Sequence, residues 1–186
     1  VTARCIGFLG KYGKQAHQNA VYRGVSFLLR EQEANGAWFG RWGTNYIYGT
    51  WSVLEAMQLA KQDMKHTAVR RAVQWLKSVQ REDGGWGESN DSYLDPKLAE
   101  LETSTAFQTA WALLGLMAAG EVKSESVRRG INYLLSAQSS NHLWEEPWFT
   151  APGFPRVFYL RYHGYSKFFP IWALARYRRL TRENVA

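Results

Sequence analysis

The feature that most constrains this chain is an internal repeat. Arg23-Gly24-Val25-Ser26-Phe27-Leu28 leads to Gln32 and then Gly36-Ala37-Trp38, and Arg71-Ala72-Val73-Gln74-Trp75-Leu76 leads to Gln80 and then Gly85-Trp86, 48 residues on. A third, degenerate copy follows after 58 more: Arg129-Gly130-Ile131-Asn132-Tyr133-Leu134, then Gln138 and Trp144, with His142 where the first copy has Gly36. Self-similarity at such periods marks an array of supersecondary units that bury their apolar faces only against neighbouring units. Each unit opens with a helix, because Val69, Ala72, Val73, Leu76 and Val79 recur at steps of three and four, as do Val127, Ile131, Leu134 and Leu135.

Second helical stretches lie between the repeat helices, at Tyr46 to Ala60 and Ser104 to Ala119, with Thr103, Ser104 and Thr105 as candidate N-caps of the latter. Loops fall at Glu33 to Asn45, Arg81 to Leu101 and Ser139 to Pro155, and nothing alternates with period two over a useful length. The predicted fold is all-α: a curved layer of antiparallel helical hairpins, as in a solenoid or a closed α/α-toroid. The Gln and Trp of each copy have a structural reading, with the amide bonding free backbone groups where a helix ends and the indole covering apolar surface.

Composition removes several function classes. One cysteine, Cys5, excludes an intrachain disulfide framework and a Cys-rich zinc site, and His17, His66, His142 and His163 are scattered, so no metal is expected. Gly84-Gly85 and Gly40-Arg41-Trp42-Gly43 are turn glycines without the strand-to-helix context or the Lys of a phosphate loop, so neither a nucleotide nor any other cofactor is expected. The run Ala110 to Gly120 is too short to span a bilayer, and Val1 onward carries no signal-peptide pattern. A net charge of +7 favours an anionic neighbour. Arg176-Tyr177-Arg178-Arg179 with Arg182 has no nucleic-acid module around it, so nucleic acid is not an expected partner; the cluster reads equally as a solvated helix end or as a contact for lipid headgroups. Nine Trp, ten Tyr and nine Phe, many of them in Gly-rich connections, exceed what core filling alone asks for.

The repeat resembles the QW motif of the triterpene cyclases, the squalene-hopene and oxidosqualene cyclase family. Gln32/Trp38 and Gln80/Trp86 are full copies and Gln138/Trp144 a degraded one. The stretches Trp38 to Trp51, Gly153-Phe154-Pro155 and Phe169-Pro170-Ile171-Trp172-Ala173-Leu174 extend the likeness over essentially the whole chain, and Asn45-Tyr46-Ile47-Tyr48 with Phe158-Tyr159-Leu160 is similar to the bacterial squalene-hopene branch. The resemblance implies that residues 1–186 are the C-terminal part of the catalytic α/α-barrel domain of a longer enzyme. It implies squalene or a similar linear polyprene as substrate, with the N-terminal remainder of the enzyme and a membrane lipid surface as partners. The implied location is peripheral, on the cytoplasmic side of a bacterial inner membrane, and a homodimer is among the assemblies it allows.

Carried over residue by residue, it places Trp42, Phe154, Phe158, Tyr162 and Tyr165 on the cavity wall, gives Tyr48, Tyr162 and Tyr165 hydroxyls that orient the acid, and puts Arg4 where the family has a basic side chain, often His. Aromatic faces suit a carbocation cascade, since each attracts a cation without trapping it. Phe154, Phe158 and Tyr162 are spaced by four and on a helix would share one face. The family's Asp-x-Asp-Asp acid has no counterpart, because Asp63, Asp83, Asp91 and Asp95 are dispersed. Two other readings stand beside this one. A non-catalytic repeat module could bind lipid or a partner protein, and Glu145-Glu146 with the Asp91/Asp95 loop could serve a glycosidase on a helical toroid.

Overall fold

Two kinds of helix alternate along the chain, and their composition decides which layer each enters. In the computed structural model, which describes residues 1–150, 153–154 and 158–183, α1 (Thr2–Tyr12), α3 (Tyr46–Leu59), α5 (Ala106–Ala118) and α7 (Tyr165–Glu183) form an inner row, each packed on the next. Outside it α2 (Gln18–Arg30) lies on α1, α4 (Thr67–Ser78) on α3, and α6 (Glu125–Ser136) on α5. The outer helices bury one stripe: Ala68, Val69, Ala72, Val73 and Leu76 on α4, and Val127, Gly130, Ile131 and Leu134 on α6. Every residue of α5 is buried, so it must have neighbours on all sides. Burying Leu113, Leu114 and Leu116 there contributes about 1.5–3 kcal/mol each. Gly115 lets α3 come close, since a Cβ at that position would lie 3.2 Å from the Trp51 Cα. This is the expected layer of helical hairpins.

The Gln/Trp staple takes a regular form. The indole Nε1 of Trp38 donates to the Leu28 carbonyl at 2.7 Å, that of Trp86 to Leu76 at 2.8 Å and that of Trp144 to Leu134 at 2.8 Å, satisfying a carbonyl near the end of each outer helix. Gln32 Nε2 donates to Gly36 O and to Ala68 O, both at 2.8 Å, and Gln80 Nε2 to Gly84 O at 2.8 Å and Ser126 O at 2.9 Å. Each Gln therefore holds its own loop and the start of the next outer helix. That helix returns an arginine: Arg71 donates to the Glu33 and Ala34 carbonyls, and Arg129 to those of Arg81 and Glu82. Among the described residues, Gln138 bonds only His142 O, at 3.1 Å.

Thr105 caps α5, its Oγ1 accepting from the Gln108 amide at 3.3 Å. Ser104, read from sequence as helical, belongs instead to a strand. β1 (Trp86–Glu88) pairs antiparallel with β2 (Glu100–Thr105), with a register irregularity between Trp86 and Glu88. So short and irregular a ladder leaves no alternation to read. Two 3₁₀ turns, Asn90–Tyr93 and Pro96–Leu98, lie between these strands. β3 (Gly153–Phe154) pairs with β4 (Phe158–Tyr159), Phe154 opposite Phe158.

Candidate functional site

The inner helices bring their first turns to one end of the layer, and the aromatic side chains gather there. Arg4 lies in the first turn of α1, Tyr48 in that of α3, Phe107 in that of α5, and Tyr165 opens α7. The Arg4 guanidinium sits 4.0 Å from the Trp51 ring centroid and 5.3 Å from that of Tyr48. Tyr48 meets Trp111 edge-on at 5.0 Å, and Trp51 and Trp111 are parallel, 6.1 Å apart. Trp111 then contacts Phe107 at 5.1 Å, Phe169 at 5.5 Å and Tyr165 at 6.0 Å, while Tyr162 stacks on Tyr165 at 4.9 Å. Trp51 and Trp111 are fully buried. Such rings attract a cation by about 0.5–2 kcal/mol each, more when dry, and none offers a strong nucleophile.

Polar groups hold this cluster in place. Trp51 Nε1 donates to Glu55 Oε2 at 3.2 Å, and Glu55 forms a largely buried ion pair with Arg176 of α7 at 2.7 Å. Arg176 also donates to Gln58 Oε1 at 2.6 Å, so α3 and α7 are fixed together beside the indole. Burial, then the neighbouring Tyr48 and Tyr162, raise the Tyr165 hydroxyl's pKa, with Arg4 opposing, so it remains a neutral donor. Arg4 is exposed and has no carboxylate partner among the described residues.

Arg4, Tyr48, Tyr162 and Tyr165 thus come together. Trp42 lies in the loop before α3 and is 43% exposed. The shared helix face expected for Phe154, Phe158 and Tyr162 is corrected. Phe154 and Phe158 face each other across a two-residue strand pair, and Tyr162 precedes α7. Pro152, Gly153 and Pro155 make a helix unfavourable there. The side chains of Phe154 and Phe158 lie outside the described residues.

Two carboxyls, buried Glu88 and half-buried Glu146, support the site, and neither is among the residues picked out from the sequence in this role. Glu88 accepts from the Asn45, Tyr46 and Ile47 amides at 3.0–3.1 Å, closing the N-terminus of α3 just ahead of Tyr48. Glu146 accepts from the Ala106 amide at the start of α5. Burial raises both pKa values, that of Glu146 to about 7, against the amides that lower them. The signal was present: each stands two residues after a repeat tryptophan, where the first copy has Gly40. Glu146 also lines a cavity of about 220 Å³ with Phe107, Trp148, Arg161, Tyr162 and Tyr165. Of the carboxyls weighed for a glycosidase, Glu146 accepts from the Ala106 amide and Asp95 from the Lys97 amide at 2.9 Å, while Glu145 accepts from the Asn141 side-chain amide at 3.1 Å and Asp91 from the Ser89 hydroxyl at 3.3 Å. No helix among the described residues is long and apolar enough to cross a membrane.

The fold is shared with solved terpene cyclases. Ent-copalyl diphosphate synthase from Streptomyces platensis aligns with a TM-score of 0.63 at 20% identity, over 87% of this chain and 28% of that one. A type II terpene cyclase from Scytonema, in complex with geranylgeranyl dihydroxybenzoate, aligns with 0.58 at 18%, over 94% and 47%. Among curated relatives, the probable squalene-hopene cyclase of Sinorhizobium fredii is 59% identical over 100% of this chain and 29% of its own length. The squalene-hopene cyclases of Zymomonas mobilis and Alicyclobacillus acidocaldarius are 56% and 43% identical, over 99% and 96% of this chain and 28% of their own lengths. The chain therefore spans less than a third of these curated relatives. With the squalene-hopene cyclase C-terminal domain matching residues 1–179, the chain belongs to that family.

Proposed function

We propose that this chain is the C-terminal part of the catalytic barrel domain of a squalene-hopene cyclase, and that its inner helices line the cavity in which a linear polyprene is cyclised. The observation that carries the reading is the joined set of rings from α3, α5 and α7, Tyr48, Trp51, Trp111, Tyr165 and Phe169, around two fully buried indoles. Squalene has no polar handle, so its positive charge is best met by aromatic faces in a site that excludes water. The four aspartates carry no initiating acid, and Asp63, Asp83, Asp91 and Asp95 are engaged with nearby loop amides or hydroxyls. Protonation of the terminal alkene therefore falls to a carboxylic acid elsewhere in the polypeptide. Arg4, with free N–H donors beside Tyr48, is suited to favour the ionised form of that acid after the proton leaves, while neutral Tyr165 and Tyr162 orient it.

Trp42, Phe154 and Phe158 complete the wall in this proposal. Exposed Phe8 and Phe168 on α1 and α7, together with the basic end of α7, favour a peripheral position on a membrane from which the substrate is drawn. The test is incubation of the natural gene product with squalene and analysis of the products by mass spectrometry. Conversion to pentacyclic hopene or hopanol is expected, with early-terminated rings accumulating in Phe158→Ala. Absence of any cyclised product from the unsubstituted protein would sink the reading.

A further inference from the structure

Three loops from different repeats meet in a closed ring of hydrogen bonds. The Thr44 amide donates to Thr150 Oγ1 at 3.0 Å, and the two threonine hydroxyls are 2.9 Å apart. Thr44 Oγ1 donates to Asn90 Oδ1, and Asn90 Nδ2 donates to the Phe149 carbonyl at 3.4 Å, next to Thr150. A hydroxyl carries one proton, so the directions follow. Thr44 spends its proton on Asn90, and Thr150 donates to Thr44 Oγ1 while accepting from the Thr44 amide. Thr44 and Thr150 are 1% and 3% exposed, so each bond lost would leave a buried polar group without its partner.

The ring joins segments assigned to the cavity wall. Thr44 follows Trp42 by two residues and Thr150 precedes Phe154 by four, yet the threonines are 106 residues apart in the chain. The Trp42 loop is held further by the Tyr93 hydroxyl, which donates to Gly43 O at 2.6 Å, and by Asn45 Nδ2, which donates to Ser92 Oγ at 3.3 Å. Thr44, Asn90 and Thr150 line a cavity of about 210 Å³ together with Phe107, whose ring contacts Trp111 at the centre of the aromatic cluster.

We propose that Thr150 is a positioning residue for cyclisation, and that through Thr44 it fixes the Trp42 loop against the segment carrying Phe154 and Phe158 and so decides how many rings close before the cation is lost. This rests on the cyclase reading above. Initiation depends on the acid beside Arg4 and Tyr48, whereas the later cations depend on how near the wall's aromatic faces stand. A shift of about 1 Å between the loops is enough to change the outcome at a reacting centre. Loosening the ring therefore alters the products more than the consumption of substrate.

The natural gene product and its variants are incubated with squalene well below their melting temperatures, and the products are resolved by mass spectrometry. Thr150→Val keeps the side chain's shape and removes both of its bonds. Products with incomplete ring systems are expected to rise severalfold, while squalene consumption changes little. Thr150→Ser keeps the hydroxyl and is expected to restore the unsubstituted product ratio. Thr44→Val should shift the ratio in the same direction, and the double variant no further than either alone. Gly120→Ala, destabilised beyond the far end of α5, is expected to melt lower with its ratio unchanged, so the ratio reports position rather than stability. Where Thr150→Val does not fold, Asn90→Ala breaks the ring from an exposed position and takes its place. A shift in Thr150→Ser as large as in Thr150→Val would overturn the inference. So would an unchanged ratio in Thr150→Val beside normal hopene formation by the unsubstituted protein, and that result leaves the cyclase reading standing. Unsubstituted protein that closes no ring would overturn that reading and this inference with it.

Discussion

The guanidinium of Arg4 rests 4.0 Å above the Trp51 ring, whose indole N–H is held by Glu55 on the same helix. A permanent cation is thereby fixed beside Tyr48 with its donors unspent on any described carboxylate. Arginine stays charged at every working pH, whereas a histidine titrates near 6.5. In the natural gene product, Arg4→His is expected to be most active below about pH 6.5 and to lose rate as the imidazole is neutralised above it. The unsubstituted protein should lack that fall. Matching pH–rate profiles for the two would remove Arg4 from the acid's surroundings.

Glu146 gives a pH dependence of opposite origin. Its folded pKa, about 7, lies above the ordinary 4.5 because burial disfavours the carboxylate. Between these values the native state binds the proton that the unfolded chain releases. Stability from this group is therefore fully present below about pH 4.5, falls as pH rises, and is gone above about 7. Glu146→Gln keeps a carbonyl for the Ala106 amide but cannot ionise. The stability difference between the two proteins, from denaturant melts at several pH values, should change by up to about 3 kcal/mol in favour of the variant from pH 4.5 to 8. A difference that stays flat with pH would show that Glu146 is solvated.

Much of the architecture was legible because it repeats. The Gln, Gly and Trp spacing identified the hairpins, and the stripe on α4 and the apolar run in α5 reported which layer each enters. What was not legible depends on contacts between distant segments. Glu88 meets an amide 43 residues away, and Arg176 reaches Glu55 across 121 residues, distances at which no periodicity speaks. The tyrosines of the site came from the resemblance, while nothing in the sequence singled out Trp51 and Trp111 as the centre of the cluster. The four-residue spacing of Phe154, Phe158 and Tyr162 misled because it satisfies a helix count in a segment whose prolines and glycine do not permit one.

Two of the three staple glutamines, Gln80 and Gln138, offer a paired comparison. Gln80 bonds its own loop and Ser126 on α6, whereas among the described residues Gln138 bonds only its own loop. Methionine preserves the length of the side chain and removes the amide. Gln80→Met leaves two carbonyls without that donor and is expected to cost about 2–3 kcal/mol, against about 0.5–1.5 for Gln138→Met. Equal costs, measured by denaturant melts of the natural gene product, would mean that a further helix docks on the third loop after all.

Gly84 and Gly120 separate backbone strain from crowding. Both have φ of 88°, so an alanine at either pays the same left-handed penalty of about 1–2 kcal/mol. At Gly120 an added Cβ meets nothing within 4 Å, but at Gly84 it lies 2.7 Å from the Arg129 carbonyl oxygen. Backbone cannot swing aside as a side chain can, so Gly84→Ala must push α6 off the loop or break the bonds that Arg129 and Gln80 make there. It is expected to cost about 1–3 kcal/mol more than Gly120→Ala. The excess should vanish when Gly84→Ala is made in an Arg129→Ala, Gln80→Met background, where the docking is already lost. Equal costs in the unmodified background would show that α6 does not press on the loop.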